Sequence, residues 1–242
     1  MKVLILGGTR EAKSISQSLH PNIRVINSLS GVIVNPSLPV GLVRIGGFNG
    51  TRGMYTWLIR ENIKAVVDAT HPFATIITKH AVKICNSAKL PYLLFVRPTW
   101  NRSKNTILVV SNQDAAKNLA IGKYNSVFLT TGKFSIKSFK HINSWFLVRS
   151  ITEPNFNELP SSCATILSRG PYDYYGELNL IYENIIDVLV TKNSGSITTV
   201  SKLKAANTAG IKVIMINRSQ NLSQINLVNS VNEVERWILS RY

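Results

Sequence analysis

Short apolar runs alternate with amphipathic stretches along the whole of this 242-residue chain. The apolar runs predict buried strands, and the stretches between them have the apolar spacing of helices. The predicted strands are Val3–Leu6, Ile23–Ile26, Ala65–Val67, Tyr92–Val96, Val127–Leu129, Phe146–Val148, Thr165–Leu167, Val188–Val190 and Val213–Ile216. The predicted helices are Glu11–Leu19, Thr51–Glu61, Ala74–Ala88, Asp114–Ala120, Gly176–Asn184, Thr199–Ala209 and Val231–Arg241. This alternation is typical of a parallel sheet covered by helices on both faces.

The length of the chain bears on the number of domains. A chain of 242 residues is enough for one large α/β domain or for two of about 120 residues each. Two Rossmann-like halves fit the predicted strands better than one nine-stranded sheet. We therefore predict an α/β fold of two Rossmann-like, doubly wound parallel-sheet domains, residues 1–120 and 121–242, with a cleft between them.

The charge of the chain is strongly positive. Lys and Arg number 28 against 12 Asp and Glu, which gives a formal net charge of +16. The basic residues are scattered, and neither a basic helix nor an aromatic-studded basic motif indicates nucleic-acid binding. Two interpretations are favoured: a generally basic surface, or a site for a polyanionic ligand whose local concentration the positive field raises. Nucleic-acid binding is the third and least favoured.

Other composition features exclude several classes of protein. The apolar runs are shorter than the ~18 residues of a membrane span, and the first run is too short for a signal peptide, so we expect a cytoplasmic protein without membrane contact. Cys85 and Cys163 stand far apart without partners at ligand spacing, so neither a disulfide framework nor a metal site is expected.

Four predicted strands end in small or polar residues. These ends are Gly7–Glu11, Asp68–Phe73, Thr130–Lys133 and Thr191–Gly195. In an open α/β sheet, ligands bind beyond the carboxyl ends of the strands, where glycine allows close approach and a helix N-terminus offers free N–H groups. The pattern predicts a ligand crevice.

The second predicted strand bears on the kind of nucleotide. Folds that bind NAD place an acid near its end, but no Asp or Glu occurs between Glu11 and Glu61. Ser28 and Ser30 offer hydroxyls without negative charge. This absence favours NADP over NAD, and the alternative is that no nucleotide binds there.

Individual residues at the strand ends allow more than one role. His71, followed by proline, is either a turn residue or a ligand contact. Lys192 is placed for an anionic ligand or for proton transfer, unless it is simply solvated. Arg149, Arg169 and the turn at 170–173 lie at other strand ends and could line the same crevice.

One class of reductase is disfavoured by the tyrosines. Short-chain carbonyl reductases need a Tyr with a Lys four positions later on a helix, and no Tyr of this chain has one.

Several of these segments together resemble the precorrin-6A reductase family, including its cobalt-precorrin-6A members. The matching stretches are Leu4–Ala12, Gly46–Gly50, Val66–Ala74, Arg97-Pro98, Leu129–Gly132, Leu147–Arg149, Arg169–Tyr172 and Asp187–Gly195. The resemblance implies two Rossmann-like domains with strand exchange, and NADPH and an anionic tetrapyrrole in the cleft. It also implies hydride transfer to one double bond of the macrocycle in cobalamin biosynthesis, with a proton added at the adjacent carbon.

The resemblance and the strand ends together give the candidate site. The expected cofactor contacts are Gly7, Gly8, Thr9, Arg10, Ser28, Ser30, Thr70, His71, Thr131 and Gly132. The expected substrate contacts are Lys133, Arg149, Arg169, Asn193, Ser194 and Gly195. The expected proton donor is Lys192, with Asp173 or Tyr172 as alternatives.

One position departs from the family pattern. Family members often carry Arg after the turn that follows the second strand, whereas this chain has Val32. A preference for NADP would then depend on Ser28, Ser30 and either Arg44 or Arg52. The oligomeric state and the presence of cobalt in the substrate stay open. A non-catalytic nucleotide- or tetrapyrrole-binding protein of the same fold is the alternative function.

Overall fold

The computed structural model describes residues 1–32, 36–218 and 225–241. The chain forms two compact units, one of Met1–Pro98 with Gln220–Tyr242 and one of Thr99–Ser219. The division therefore falls between Pro98 and Thr99 instead of near residue 120, and the C-terminal segment belongs to the first unit. The reason is strand pairing: residues 106–109 pair with the second sheet and residues 227–228 with the first.

The strands and helices alternate as expected. The strands are β1 (Lys2–Leu6), β2 (Arg24–Leu29), β3 (Leu42–Ile45), β4 (Ala65–Asp68), β5 (Tyr92–Phe95), β6 (Thr106–Val109), β7 (Ser126–Leu129), β8 (Trp145–Ser150), β9 (Cys163–Leu167), β10 (Val188–Lys192), β11 (Lys212–Ile216) and β12 (Leu227–Val228). The α-helices are α1 (Arg10–Leu19), α2 (Gly50–Arg60), α3 (Thr75–Ser87), α4 (Asn112–Gly122), α5 (Tyr174–Glu183), α6 (Ser201–Thr208) and α7 (Val231–Leu239). Two 3₁₀ helices span Lys133–Phe139 and Phe156–Glu158.

The first unit contains a six-stranded parallel sheet of order β12-β5-β4-β1-β2-β3. Alternate residues of a strand face opposite sides of its sheet. Val3 and Ile5 of β1 accordingly pack with α1 and α7, while Leu4 and Leu6 pack with α2 and α3. Both faces are covered, which explains why the central strands are continuously apolar.

The second unit repeats this arrangement with the order β6-β11-β10-β7-β8-β9, again all parallel. Phe128 and Leu147 pack against α5 and α6 on one face. Phe146, the neighbour of Leu147, turns to the other face, where its ring lies 6.5 Å from that of Phe139 in the first 3₁₀ helix. The predicted α/β fold with two doubly wound parallel sheets is confirmed.

The sequence pattern does not predict β3, β6 or β12. All three are edge strands, and most of their residues keep some solvent exposure. A strand with one open edge does not need the continuous apolar run that marks a central parallel strand.

No helix among the described residues is long and apolar enough to cross a bilayer.

Candidate functional site

Each sheet has one point at which the strand order reverses, between β1 and β4 in the first unit and between β7 and β10 in the second. Open α/β sheets bind ligands at the carboxyl ends of the strands beside this point. The four predicted strand ends are the turns that follow these four strands. The turns after β1 and β4 form one candidate site, and those after β7 and β10 form another.

The turn after β1 exposes the start of a helix. Gly8 has a φ of +98°, and a Cβ placed on it would meet nothing within 4 Å. Thr9 is the N-cap of α1, where its hydroxyl oxygen accepts from the N–H of Ala12 at 3.1 Å. The open glycine and the positive end of the helix suit a phosphate group. Arg10, in the first helical turn, is exposed.

The turn after β4 is tied to the turn after β1. The Thr9 hydroxyl donates to the carbonyl oxygen of Ala69 at 2.7 Å. The fully buried carboxylate of Asp68 accepts from the Thr70 N–H at 3.0 Å, the Thr70 hydroxyl at 2.7 Å and the Tyr92 hydroxyl at 2.9 Å. Asp68 begins one of the predicted strand ends without an assigned role, and Tyr92 is not among the predicted site residues; Asp68 holds Thr70 in place, and Tyr92 holds Asp68.

His71 is an exposed turn residue. Its Nδ1 accepts from the backbone N–H of Phe73 at 3.3 Å, and the two rings lie 5.9 Å apart. The imidazole therefore helps close the turn that precedes α3. No group of three or more His, Cys, Asp or Glu residues is arranged to hold a metal ion in the described part of the chain.

An arginine lies at the carboxyl end of the second strand. Arg44 of β3 is in register with Ser28 of β2, and its Nη1 donates to the Ser28 hydroxyl oxygen at 2.8 Å. The guanidinium also donates to the carbonyl oxygens of Gly46 and Gly47, both at 2.9 Å, and lies 3.8 Å from the centre of the Phe48 ring. Partial burial lowers the Arg44 pKa. A fixed guanidinium thus stands beside Ser28 at the end of β2.

Ser30 lies in the exposed turn beyond Ser28. Its hydroxyl oxygen accepts from the backbone N–H of Val32 at 3.4 Å.

In the second unit, the turn after β7 combines an open glycine with a buried hydroxyl. Gly132 has a φ of +80° and no atom within 4 Å of an added Cβ. Thr131 is 4% exposed, and its hydroxyl oxygen has no hydrogen-bond partner among the described residues. This turn can offer hydrogen bonds to a bound group. Lys133 follows it and lies 5.4 Å from the Phe134 ring.

Lys192 ends β10 with its amine largely removed from solvent. Its Nζ donates to the Ser135 hydroxyl oxygen at 2.6 Å, so the β10 end is joined to the 3₁₀ helix after β7. Burial lowers the Lys192 pKa to about 8. An ammonium with such a pKa is a competent proton donor near neutral pH. The structure adds Ser135, which the sequence does not indicate.

Arg149 has a partner inside the protein. Its guanidinium forms a two-point ion pair with Glu177 of α5, and both side chains are buried. The Tyr172 ring stacks on the guanidinium at 3.8 Å. The guanidinium of Arg149 is thus held by a buried carboxylate of its own unit, and its role as a substrate contact stays a prediction.

The two alternative proton donors also have structural contacts. Asp173 is the N-cap of α5, and its carboxylate accepts from the Gly176 N–H at 2.8 Å. Tyr172 donates its hydroxyl to the carbonyl oxygen of Ser168 at 2.9 Å. The side chains of Asp173 and Tyr172 are thus each tied to the backbone of their own segment, whereas the Lys192 amine bonds a side chain of the neighbouring 3₁₀ helix.

The predicted contacts after β10 divide into buried and accessible residues. Asn193 is buried, and its Oδ1 accepts from the Trp100 N–H at 3.0 Å. Ser194 is buried as well, whereas Gly195 is partly accessible. Arg169, at the end of β9, is exposed.

The fold and these turns define a class of α/β protein with two Rossmann-type sheets, each with ligand-binding features at its reversal point. The chain belongs to the precorrin-6x reductase family (CbiJ/CobK), whose family model matches residues 2–239.

Named relatives match over nearly the whole chain. The precorrin-6A reductase of Mycobacterium tuberculosis is 46% identical over 98% of this chain and 97% of that protein. The precorrin-6A reductase of Rhodococcus erythropolis is 37% identical over the same shares. The cobalt-precorrin-6A reductase of Methanococcus maripaludis is 26% identical over 91% and 92%. A solved structure named CobK precorrin-6A reductase has a TM-score of 0.92 at 28% identity and covers 99% of this chain and 96% of that one.

Proposed function

We propose that this protein is an NADPH-dependent precorrin-6A reductase of cobalamin biosynthesis. The observation that carries the proposal is the 46% identity to a precorrin-6A reductase over 98% of this chain and 97% of that protein. The alternative, a binding protein without activity, does not account for the partly buried amine of Lys192. A site that only binds an anion gains nothing from burying its lysine, because burial destabilises the charged ammonium that attracts the anion.

The residues of the first unit fit a phosphorylated dinucleotide. Gly8 and the start of α1 suit the pyrophosphate, because the open Cβ position allows close approach to free N–H groups. Arg44 and Ser28 stand at the end of β2, where an arginine accommodates the 2′-phosphate of NADP. The family position occupied by Val32 is thus compensated from the neighbouring strand. NADPH bound there would supply the hydride.

Lys192 supplies the proton in this proposal. Burial destabilises its ammonium, and the bond to Ser135 orients the amine. A lysine with a pKa near 8 is mostly protonated at neutral pH and gives up its proton more easily than an exposed lysine. The other contribution of the protein is to hold the reactants in the reactive geometry.

The substrate is an acidic macrocycle, and the protein is suited to it in charge. Precorrin-6A carries acetate and propionate carboxylates, and the chain has a formal net charge of +16. We propose the metal-free compound as the substrate. Relatives named for it are 30% to 46% identical, whereas relatives named for its cobalt complex are 24% to 28% identical.

An anaerobic assay tests this function. Purified protein is mixed with NADPH and either precorrin-6A or its cobalt complex, with NADH in place of NADPH as the control. We expect NADPH oxidation with precorrin-6A and a product two hydrogen atoms heavier. Tight NADPH binding without turnover on either macrocycle would refute the reductase function and support the non-catalytic alternative.

A further inference from the structure

Lys202 is a buried lysine for which the proposed reaction has no use. It lies in the first turn of α6 and is 6% exposed. Its Nζ donates to the Thr130 hydroxyl oxygen at 3.1 Å and lies 5.4 Å from the centre of the Trp100 ring. One amine thus contacts both the residue that opens the turn after β7 and a buried aromatic ring.

Trp100 in turn holds the segment after β10. Its backbone N–H donates to Asn193 Oδ1 at 3.0 Å, and its indole N–H donates to the Ser196 carbonyl oxygen at 3.1 Å. Asn193 directly follows Lys192. Lys202 therefore connects the two turns that flank the reversal point of the second sheet. It reaches the turn after β7 through Thr130 and the turn after β10 through Trp100.

The surroundings of Lys202 destabilise the charged form of its amine. Burial is the main cause that lowers its pKa to about 7, Arg149 on β8 lowers it further, and Glu177 on α5 acts in the opposite direction. Glu177 already forms a two-point ion pair with Arg149. An apolar side chain of similar length would avoid this cost. Stability alone therefore does not account for a lysine here.

We propose that Lys202 is a positioning residue that fixes the turns after β7 and β10 relative to each other, and so orients Thr131 and Lys192. It acts through Thr130 and Trp100. Its effect on catalysis rests on the proposed reductase function, whereas its effect on the two turns does not.

Three variants separate this role from general support of the core. Lys202→Met keeps a long side chain and removes the amine. Thr130→Val removes the hydroxyl at the other end of the contact, together with its own hydrogen bond to the Val190 carbonyl oxygen at 3.1 Å, and serves if Lys202→Met folds poorly. Lys204→Met is the matched control, because Lys204 lies in the same helix and is exposed.

The first measurement is amide hydrogen exchange of the free protein, read by mass spectrometry on peptides covering residues 130–135 and 192–197. In Lys202→Met and Thr130→Val we expect exchange in both segments to accelerate about tenfold, the effect of one lost hydrogen bond. Lys204→Met should exchange as the wild type does. Unchanged exchange in both test variants would overturn the proposal. So would a general loss of protection in Lys202→Met that Thr130→Val does not share.

Kinetics then test the consequence for catalysis. Wild-type turnover with precorrin-6A tests the proposed function alone, and its absence leaves the exchange result to decide on Lys202. With turnover present, we expect kcat of Lys202→Met to fall about 10- to 100-fold while KM for NADPH stays within about twofold. A raised KM with unchanged kcat would overturn the positioning role.

The pH profile gives a signature that a structural role would not produce. Lys202 is charged below pH 7 and neutral above it, and the charged amine is the stronger donor to Thr130. The midpoint of the fall in wild-type kcat should therefore lie near pH 7. In the residual kcat of Lys202→Met the midpoint should move up toward the Lys192 pKa of about 8. Identical profiles would contradict the proposal.

Discussion

The Thr9 hydroxyl donates a 2.7 Å hydrogen bond to the carbonyl oxygen of Ala69 and thereby joins the turns that follow β1 and β4. The same oxygen caps α1 by accepting from the N–H of Ala12. One side chain thus sets both the helix start and the spacing of two turns at the reversal point of the first sheet.

Replacing Thr9 tests whether this junction forms part of the cofactor site. Thr9→Val removes the cap and the bond to Ala69, so we expect a loss of about 1–2 kcal/mol in the free energy of unfolding, measured by urea denaturation. NADPH affinity, measured by fluorescence titration, should fall as well. Thr9→Ser keeps both contacts and should resemble the wild type. A destabilised Thr9→Val protein with unchanged NADPH affinity would place the cofactor elsewhere.

Arg44 is expected to select NADPH over NADH. Arg44→Gln should weaken NADPH binding about tenfold or more, since a charge-assisted contact to the 2′-phosphate is lost, and leave NADH binding nearly unchanged. Calorimetric titration at one fixed ionic strength measures both. The matched control is Arg24→Gln, an exposed arginine at the opposite end of β2. Equal losses for the two nucleotides would mean that Arg44 only supports the loop at Gly46 and Gly47.

Lys192 is expected to govern proton transfer. Lys192→Met should lower kcat about 100-fold or more, with little change in NADPH affinity. Burial lowers the Lys192 pKa to about 8, so the amine is protonated below that pH and loses its proton above it. An acid must be protonated to act; wild-type activity attributable to Lys192 therefore declines as pH rises through 8.

The control for this variant is Lys212→Met, an exposed lysine at the start of β11, which should keep wild-type kinetics. The part of the decline centred near pH 8 should be missing from the residual activity of Lys192→Met, whereas the part assigned to Lys202, near pH 7, should remain. If the part near pH 8 persists in that variant, or if kcat and NADPH affinity fall together, another group donates the proton.

The pair of Arg149 and Glu177 should behave as a buried structural unit. Glu177→Gln leaves the guanidinium without its carboxylate, which should cost about 3 kcal/mol or more in the free energy of unfolding. The double variant Arg149→Met, Glu177→Met should lose less than this, because no buried charge is left alone. Denaturation of the single and double variants measures both values. A double variant that loses as much as Glu177→Gln, or more, would show that the pair is not coupled.

The parts of the fold predictable from sequence are those encoded by neighbours in the chain. Central strands need continuous apolar runs because both of their faces are buried, and the glycine and threonine turns follow them directly. Edge strands such as β3 and β6 lack that requirement and give no clear pattern. Because β6 is missing from the predicted strands, the predicted domain boundary lies near residue 120, after β6 and not before it. In the structure, the first unit ends at Pro98 and the second begins at Thr99, ahead of β6.

Contacts between distant residues of the sequence were not predictable. Lys202 meets Thr130 across 72 positions, and Lys192 meets Ser135 across 57. From the sequence, Arg149 is a positively charged residue at a strand end, which is typical of a contact to an acidic substrate. Only the fold shows that its guanidinium pairs with Glu177, 28 positions later. Arg44 was one of two arginine candidates from the sequence, and only the pairing of β2 with β3 shows that its guanidinium lies beside Ser28.

The most direct test of the central claim follows the hydride itself. NADPH carrying deuterium at both C4 positions is incubated anaerobically with precorrin-6A and the protein, and the macrocycle is analysed by mass spectrometry. We predict one deuterium in each reduced product molecule, with the second hydrogen derived from solvent. A reduced product without deuterium, or complete recovery of unreduced precorrin-6A beside tightly bound NADPH, would contradict the account.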